Sequence, residues 1–549
     1  MLKLSAGPRR LVSTHSLHLS INHSQQFHVE QHILLSRLKD VKTEYDRDLC
    51  CMEGTRKSLL EQIMVWVTNG SEQTGGINAY WIYGLPGIGK TSLAHSICTS
   101  LHDKEQLAGA FFCQRGHREL RKPKNILPTL IHKLAVLFPP FRSVVAEWFR
   151  NNPNEALRSI SPNLFLSFIR RLPHLPKKTL VFVIDALDEC GSTKSRPGVL
   201  TALTDAATHA PWLKVIITSR EEVDIRQFFD SPTQVSHLRY DLTADKETTD
   251  DLRTFAEYRF KRVASTRYLQ SPWPERLLLD RVISRAPGLF IFIETLALAL
   301  EHSYEPTKLL GAVLQDSSSP GLPSLYGLYS SIARARRVQR NAEFRRVIGV
   351  LLATTRYRPL CEETIAELAG VRPDLVKMWV EDLGSMFYRD EGANGGVRVR
   401  HLSISEFFVS DDCPGDFRVN LRGTNTVLGV ACLETMVEQL RFNICELEDS
   451  RLANSDVKDL ASRIKENISE ALQYSSLYWT NHLCFAPDTG GGRVWDKLRK
   501  FFEGPYALFW VEVLSIMGML QIDVPSLQEL TSKLVKVSTA PAHCNGYSK

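Results

Sequence analysis

The run Ala79-Tyr80-Trp81-Ile82-Tyr83 leads into Gly84-Leu85-Pro86-Gly87-Ile88-Gly89-Lys90-Thr91 and then into Ser92-Leu93-Ala94-His95-Ser96-Ile97-Cys98. A short β-rich segment, glycines with one lysine and one hydroxyl, and a helical pattern follow in the order that a phosphate cradle requires. Glycines let successive backbone N–H groups turn inward. A helix beginning near Lys90 presents its unbonded N–H groups and positive dipole end to the same anion. The arrangement is that of a Walker A motif, and it predicts that Gly84, Leu85, Pro86, Gly87, Ile88, Gly89, Lys90, Thr91 and Ser92 wrap a nucleotide's phosphates. Lys90 is expected to reach the β- and γ-phosphates, and Thr91 to place its hydroxyl on Mg²⁺. A plain glycine turn between strand and helix is the competing reading, and the four filled signature positions argue against it.

Downstream, Leu180-Val181-Phe182-Val183-Ile184 closes on Asp185-Ala186-Leu187-Asp188-Glu189. Five unbroken apolar residues ending in acids suit a buried parallel strand whose carboxyl end faces a metal. Asp185 is predicted to hold Mg²⁺ through water, and Asp188 and Glu189 to orient or deprotonate an attacking water. Acids at a helix N-terminus are the alternative, weakened by the complete Walker A upstream. Ala108 to Cys113 reads as a second strand. Lys214 to Arg220 reads as a fourth, with Arg220 set beside the acidic strand and within reach of a γ-phosphate; a surface arginine is the bland alternative. Val235 to Leu242 completes an α/β P-loop fold, a parallel five-stranded sheet with helices on both faces. Ahead of it, Leu59, Leu60, Ile63, Met64 and Val67 predict a helix capped by Thr55.

The whole chain sets bounds. Its 549 residues leave room for three or four domains at ~150 residues each. A formal charge of +6 from 67 basic and 61 acidic residues is too balanced to favour nucleic acid or an anionic membrane as partner. Eleven cysteines, odd in number and without metal-ligand spacing, suit the reduced thiols of a cytoplasmic protein. The longest apolar runs are broken by Glu294 and Glu512 and are short for a bilayer span. Residues 1–48 show no sustained period and read as a disordered tail; the spacing of His28 and His32 around Glu30 does not match a zinc helix.

With these residues assembled, the chain resembles the NACHT family of signal-transduction NTPases, most closely the NACHT proteins abundant in mushroom-forming fungi. The resemblance is carried by Cys51 to Arg56, Gly84 to Thr91, Phe111-Phe112-Cys113-Gln114-Arg115, Asp185 to Glu189 and Val215 to Arg220. It implies a NACHT domain over 49–242, a helical domain over 243–325, a winged-helix domain over 326–415, a helical region over 416–521 and a polar tail over 522–549. Ala286 to Ile291 looks like the helical-domain turn that touches adenine, with Phe290 where relatives carry proline. Phe344–Thr354, Glu362–Ala369 and Leu375–Met386 look like the winged helix's helices, with a hairpin turning at 391–396. His401 looks like the family histidine that contacts the diphosphate of the resting state; a structural histidine is its rival. Gly490 to Gly492 reads as a hinge in the helical region.

The resemblance implies a nucleotide-gated switch that binds ATP with Mg²⁺, hydrolyses it slowly, self-associates in the triphosphate state and passes a cell-death or immunity-like signal to an unidentified partner. No N-K-x-D motif occurs, which favours ATP and leaves GTP open. Two other readings stand beside it: a scaffold or decoy that binds nucleotide without hydrolysis, and a winged-helix DNA-binding regulator. Against the latter, Lys377 shares its helix with Glu381 and Asp382, a poor charge pattern for a major groove. No repeat of 20 to 50 residues is present to form a sensor array.

Overall fold

A computed structural model of the chain describes residues 35–38, 41–69, 73–117, 119–153, 160–172, 178–231, 236–270, 272–315, 319–335, 342–390, 395–449, 451–486, 492–520 and 524–539. They fall into two units, the first made of 1–85, 89–115 and 119–245 and the second of 86–88, 116–118 and 246–549. His28, His32, Val235 and Gly490 lie outside the described residues.

Five strands, β1 (Ala79–Tyr83), β2 (Leu107–Phe112), β3 (Leu180–Asp185), β4 (Leu213–Ser219) and β5 (His237–Asp241), form one parallel sheet in the order β2-β3-β4-β1-β5. Every residue of β3 and β4 is buried, as unbroken apolar runs require of strands covered on both faces. At the edge, β5 stays half-buried or exposed. Parallel strands need long crossovers, and the helices Lys90–Asp103, Ile126–Leu137 and Arg196–His209 lie in those that join β1 to β2, β2 to β3 and β3 to β4. The register sets Ile217 of β4 between Ile184 of β3 and Trp81 of β1. The carboxyl ends of β1, β3 and β4 therefore emerge side by side, where an open α/β sheet places its ligands.

Two local expectations need correction. Leu35, Leu38 and Val41 are buried in the first unit's core together with Phe111, Ile131 and Phe182, so the segment expected as a disordered tail is ordered over 41–48. Thr43 Oγ1 accepts from Phe112 N–H at 2.9 Å, and Asp46 N–H donates to His95 Nδ1 at 2.9 Å. Thr55 does not cap the helix Lys57–Thr68: its hydroxyl donates to Met52 O at 2.7 Å, and Arg56 occupies the cap position at φ 55°. The Arg56 guanidinium is buried against Asp245 at 2.7 Å. At the other end of that helix the fully buried Lys214 donates to Trp66 O and Asn69 O, a cation placed on the last-turn carbonyls that have no intrahelical donor.

In the second unit the helices Thr248–Thr266, Arg276–Arg285, Phe290–Glu301, Pro306–Gln315 and Leu322–Ala335 come first. Next are Ala342–Thr354, Glu362–Ala369 and Pro373–Asp382, then β6 (Phe387–Arg389) and β7 (Val397–Val399) paired antiparallel. The third of these helices ends at Asp382, short of the expected Met386, and turn hydrogen bonds from Gly384 N–H to Glu381 O and from Met386 N–H to Leu383 O lead into β6. Leu402–Val409, Leu421–Gln439 and Glu470–Phe485 follow, and Gly429 lets the last two approach: a Cβ there would lie 2.6 Å from Leu483 Cδ2. One continuous core runs from Leu252 to Leu530, across stretches expected as three domains, and the helix Val524–Thr539 occupies the segment read as a polar tail.

Candidate nucleotide site

The loop after β1 owes its shape to glycine at two points. Gly87 has φ 81° and Gly89 φ 95°, conformations that cost a side-chain-bearing residue about 1 kcal/mol or more. Gly89 is the N-cap of the helix Lys90–Asp103, so the N–H groups of Lys90, Thr91 and Ser92 have no carbonyl four residues back. The Lys90 ammonium donates to Gly84 O and Leu85 O, both at 2.8 Å, drawing the loop around its own lysine. Burial pushes its pKa down to about 8, against the pull of Asp188. Ser92 lies in the first helical turn, where its carbonyl accepts from Ser96 Oγ at 3.0 Å.

Thr91 Oγ1 donates to Asp185 Oδ2 at 2.9 Å. The strand end and the loop, 94 residues apart in sequence, thus bring together the hydroxyl and carboxylate singled out for Mg²⁺. The carboxylate's other oxygen, Oδ1, accepts from Thr218 Oγ1, which itself accepts from Ala186 N–H at 3.0 Å. Burial raises Asp185 to about 6, opposed by these two hydroxyls. Among the described residues no three acids, histidines or cysteines cluster as a metal site. A hard cation with few protein ligands that completes its shell with water and phosphate is the chemistry of Mg²⁺, and Thr91 with Asp185 fits it.

Asp188 and Glu189, paired in the sequence, separate in their partners. Asp188 is buried, accepts from Arg220 N–H at 2.9 Å and faces Arg220 Nε at 3.4 Å. Glu189 Oε2 accepts from Arg115 N–H at 3.1 Å, and burial lifts its carboxyl to about 7. Arg220 follows β4 directly, and β4 pairs with β3, so it stands beside the acidic strand as expected.

In the second unit, which takes in Pro86–Ile88, Ile291 N–H donates to Gly87 O at 3.2 Å and Gly288 turns at φ 71°. His401 is the N-cap of Leu402–Val409, its Nδ1 accepting from Ser403 N–H at 3.2 Å. Its Cε1 lies 3.8 Å from where a Cβ on Gly87 would stand. Thr218 and Ser403 were not singled out in the sequence. Their only signals are a hydroxyl at the end of an apolar strand and a hydroxyl two residues after a histidine.

Residues 54–220, under a third of the chain, match the family model described as Nephrocystin 3, N-terminal. No curated protein matches. Among solved structures, a Walker-type ATPase of Pyrococcus abyssi is similar at 13% identity and TM-score 0.31, over 68% of this chain and 99% of that one. The Orc1 protein of Aeropyrum pernix, solved with DNA, is similar at 14% and 0.29, over 66% and 94%. Drosophila ORC bound to DNA follows at 14% and 0.33, over 64% and 95%. At these values the likenesses carry no functional argument, and the P-loop α/β fold rests on the chain's own sheet order, loop and strand-end acids.

Proposed function

We propose that the chain is a nucleotide-gated switch of the NACHT type, binding ATP with Mg²⁺ and hydrolysing it slowly, with GTP as the alternative nucleotide. The single observation that carries this is the Thr91 to Asp185 hydrogen bond at 2.9 Å, beside a lysine and a glycine loop in the matched region. Gly84 to Ser92 would hold the phosphates, Thr91 and Asp185 the metal, and Arg220 the γ-phosphate. Glu189 would act on the attacking water, and His401 would favour the diphosphate form. Moving a two-state population from 1:99 to 99:1 takes about 5.5 kcal/mol, and one charge-assisted hydrogen bond gives ~1.5–3 kcal/mol. Several of these contacts must therefore act together.

Self-association in the triphosphate state, a cytoplasmic setting and fungal immunity-like or cell-death signalling complete the proposal. Among the described residues no helix is long and apolar enough to cross a membrane. The DNA-binding reading is disfavoured because the hairpin arginines are engaged internally, Arg398 with Asp390 and Arg400 Nε with Gly384 O at 2.7 Å. A second reading, a switch that binds without hydrolysing, is favoured by the engagement of Asp188 with Arg220.

Calorimetry of ATP and ADP with and without Mg²⁺, on wild type and Lys90→Ala, tests the proposal. Binding that needs Lys90 and strengthens with Mg²⁺ supports it; no binding at millimolar nucleotide sinks it. Turnover that is negligible in wild type and unchanged in Glu189→Gln selects the non-hydrolysing switch.

A further inference from the structure

A cavity of about 340 Å³ lies wholly within the second unit, where the start of Leu421–Gln439 meets Ala342–Thr354 and the end of Glu362–Ala369. Three guanidinium side chains line it, Arg345 and Arg346 from Ala342–Thr354 and Arg418 from the loop before Leu421–Gln439; among the described residues no carboxylate does. Its apolar wall comes from the buried Val350, Leu368 and Val419. Beside that wall two helices touch: a Cβ on Gly349 would lie 2.7 Å from Thr424 Oγ1. The spacing of the walls is therefore built into the packing.

The charges do not cancel inside the cluster. Arg418 Nη1 meets Asp411 Oδ1 at 2.7 Å, an exposed pair whose carboxylate stands outside the lining. Arg345 Nη1 reaches Gly415 O, a neutral acceptor, at 3.4 Å. Arg346 has no ion pair among the described residues, and Glu343, one turn earlier on its helix, does not line the cavity. Two of the three positive charges are left uncompensated. Asn420 adds a neutral donor: its side-chain carbonyl accepts from Gly423 N–H at 3.1 Å, which leaves its amide N–H groups. The same residue caps a helix of 19 residues, whose positive dipole end contributes to the field.

We infer that this cavity binds a small organic phosphate monoester, its phosphate on the arginines and its apolar body against Val350, Leu368 and Val419. Charge and size give the class. A phosphate monoester carries about −1.5 to −2 at pH 7, which answers the two uncompensated guanidiniums, whereas a single carboxylate answers one. The planar fork of arginine takes two phosphate oxygens at once. A volume of about 340 Å³ falls at the lower end of the ~300–1,000 Å³ of small-molecule sites and suits one ring or a short chain. The apolar wall distinguishes the site from one for bare phosphate. It shares no residue with the glycine loop and does not rest on the switch reading.

Calorimetry on the full chain carrying Lys90→Ala, which disables the glycine loop, tests this with phenyl phosphate, inorganic phosphate and phenol as probes. Phenyl phosphate should bind once per chain, at least about tenfold tighter than either of the other two, and more weakly as salt rises. Adding Arg346→Ala should weaken it about tenfold or more, with the unfolding temperature unchanged because the side chain is exposed. Arg346→Lys, which keeps the charge and loses the fork, should fall between. If the Arg346→Ala chain does not fold, Arg345→Gln decides on the same expectation. No binding of phenyl phosphate at millimolar concentration overturns the inference, and so does an affinity unchanged in Arg346→Ala. Inorganic phosphate binding as tightly as phenyl phosphate also overturns it, since the apolar wall would then read nothing. A phosphotyrosyl peptide binding more than about tenfold tighter than phenyl phosphate overturns it in favour of a protein partner. With Lys90→Ala present throughout, none of these outcomes touches the nucleotide reading.

Discussion

Asp188 holds Arg220 twice, accepting the backbone N–H at 2.9 Å and facing Nε at 3.4 Å, with its own side chain 2% exposed. The bond ties the turn after β3 to the end of β4 and sets the direction in which the arginine leaves the sheet. Asp188→Ala removes the acceptor of a part-buried N–H and the carboxylate that faces the guanidinium. It should cost about 1–3 kcal/mol in local stability, read as faster amide exchange at Arg220. Exchange unchanged at that amide would show that the carboxylate does not hold the turn.

Thr218 does the corresponding work for Asp185, donating to the carboxylate while accepting from Ala186 N–H. Valine has the same shape without the hydroxyl. Thr218→Val should lower stability by about 1–2 kcal/mol, speed exchange at Ala186 and blunt the Mg²⁺ dependence of ATP binding, whereas Thr218→Ser keeps all three near wild type. Equal Mg²⁺ dependence in the two variants would reduce Thr218 to packing.

His482 is buried as a neutral ring: Nδ1–H donates to Asn425 Oδ1 at 2.8 Å and Nε2 accepts from Tyr474 O–H at 2.8 Å. Burial, with Arg356 adding to it, lowers its pKa from 6.5 to about 3. The unfolded chain therefore takes up the proton first as pH falls below 6.5. Stability should drop by up to about 1.4 kcal/mol per pH unit between 6.5 and 3 from this group. Urea unfolding of wild type and His482→Gln at pH 7, 6 and 5 should show the one-proton slope in the first and its loss in the second; parallel slopes refute the assignment.

Gly429 faces Leu483 across two helices, and a methyl there would meet Leu483 Cδ2 at 2.6 Å and Cγ at 2.9 Å. Overpacking costs about 1–3 kcal/mol and alanine's better helix propensity returns about 1. Gly429→Ala should therefore destabilise by up to about 2 kcal/mol, and the double variant with Leu483→Ala should cost less than the two singles added. Strict additivity in thermal or urea unfolding would mean that the helices simply move apart.

What could be read in the sequence was what local pattern encodes. Apolar runs in β3 and β4 announce burial on both faces, and the glycines before Lys90 announce the loop, because period and backbone freedom are properties of neighbouring residues. Thr218 stayed hidden because a threonine at a strand end is an ordinary β-branched residue until β3 and β4 pair. Asp188 and Glu189 looked interchangeable in sequence, and their partners, Arg220 N–H and Arg115 N–H, are supplied by different loops. Leu35, Leu38 and Val41 have no period long enough to read, and His482 looks like one more polar residue on a helix that also carries Gln473, Ser475, Ser476, Thr480 and Asn481.

The burial of Leu35, Leu38 and Val41 in the first unit's core has a practical side. All three precede residue 54, where the family match begins. A fragment cut to the matched boundaries would expose the apolar surface they cover and leave Phe112 N–H without the Thr43 hydroxyl. Poor solubility of such a fragment would report on where it was cut, not on whether the nucleotide fold can stand alone.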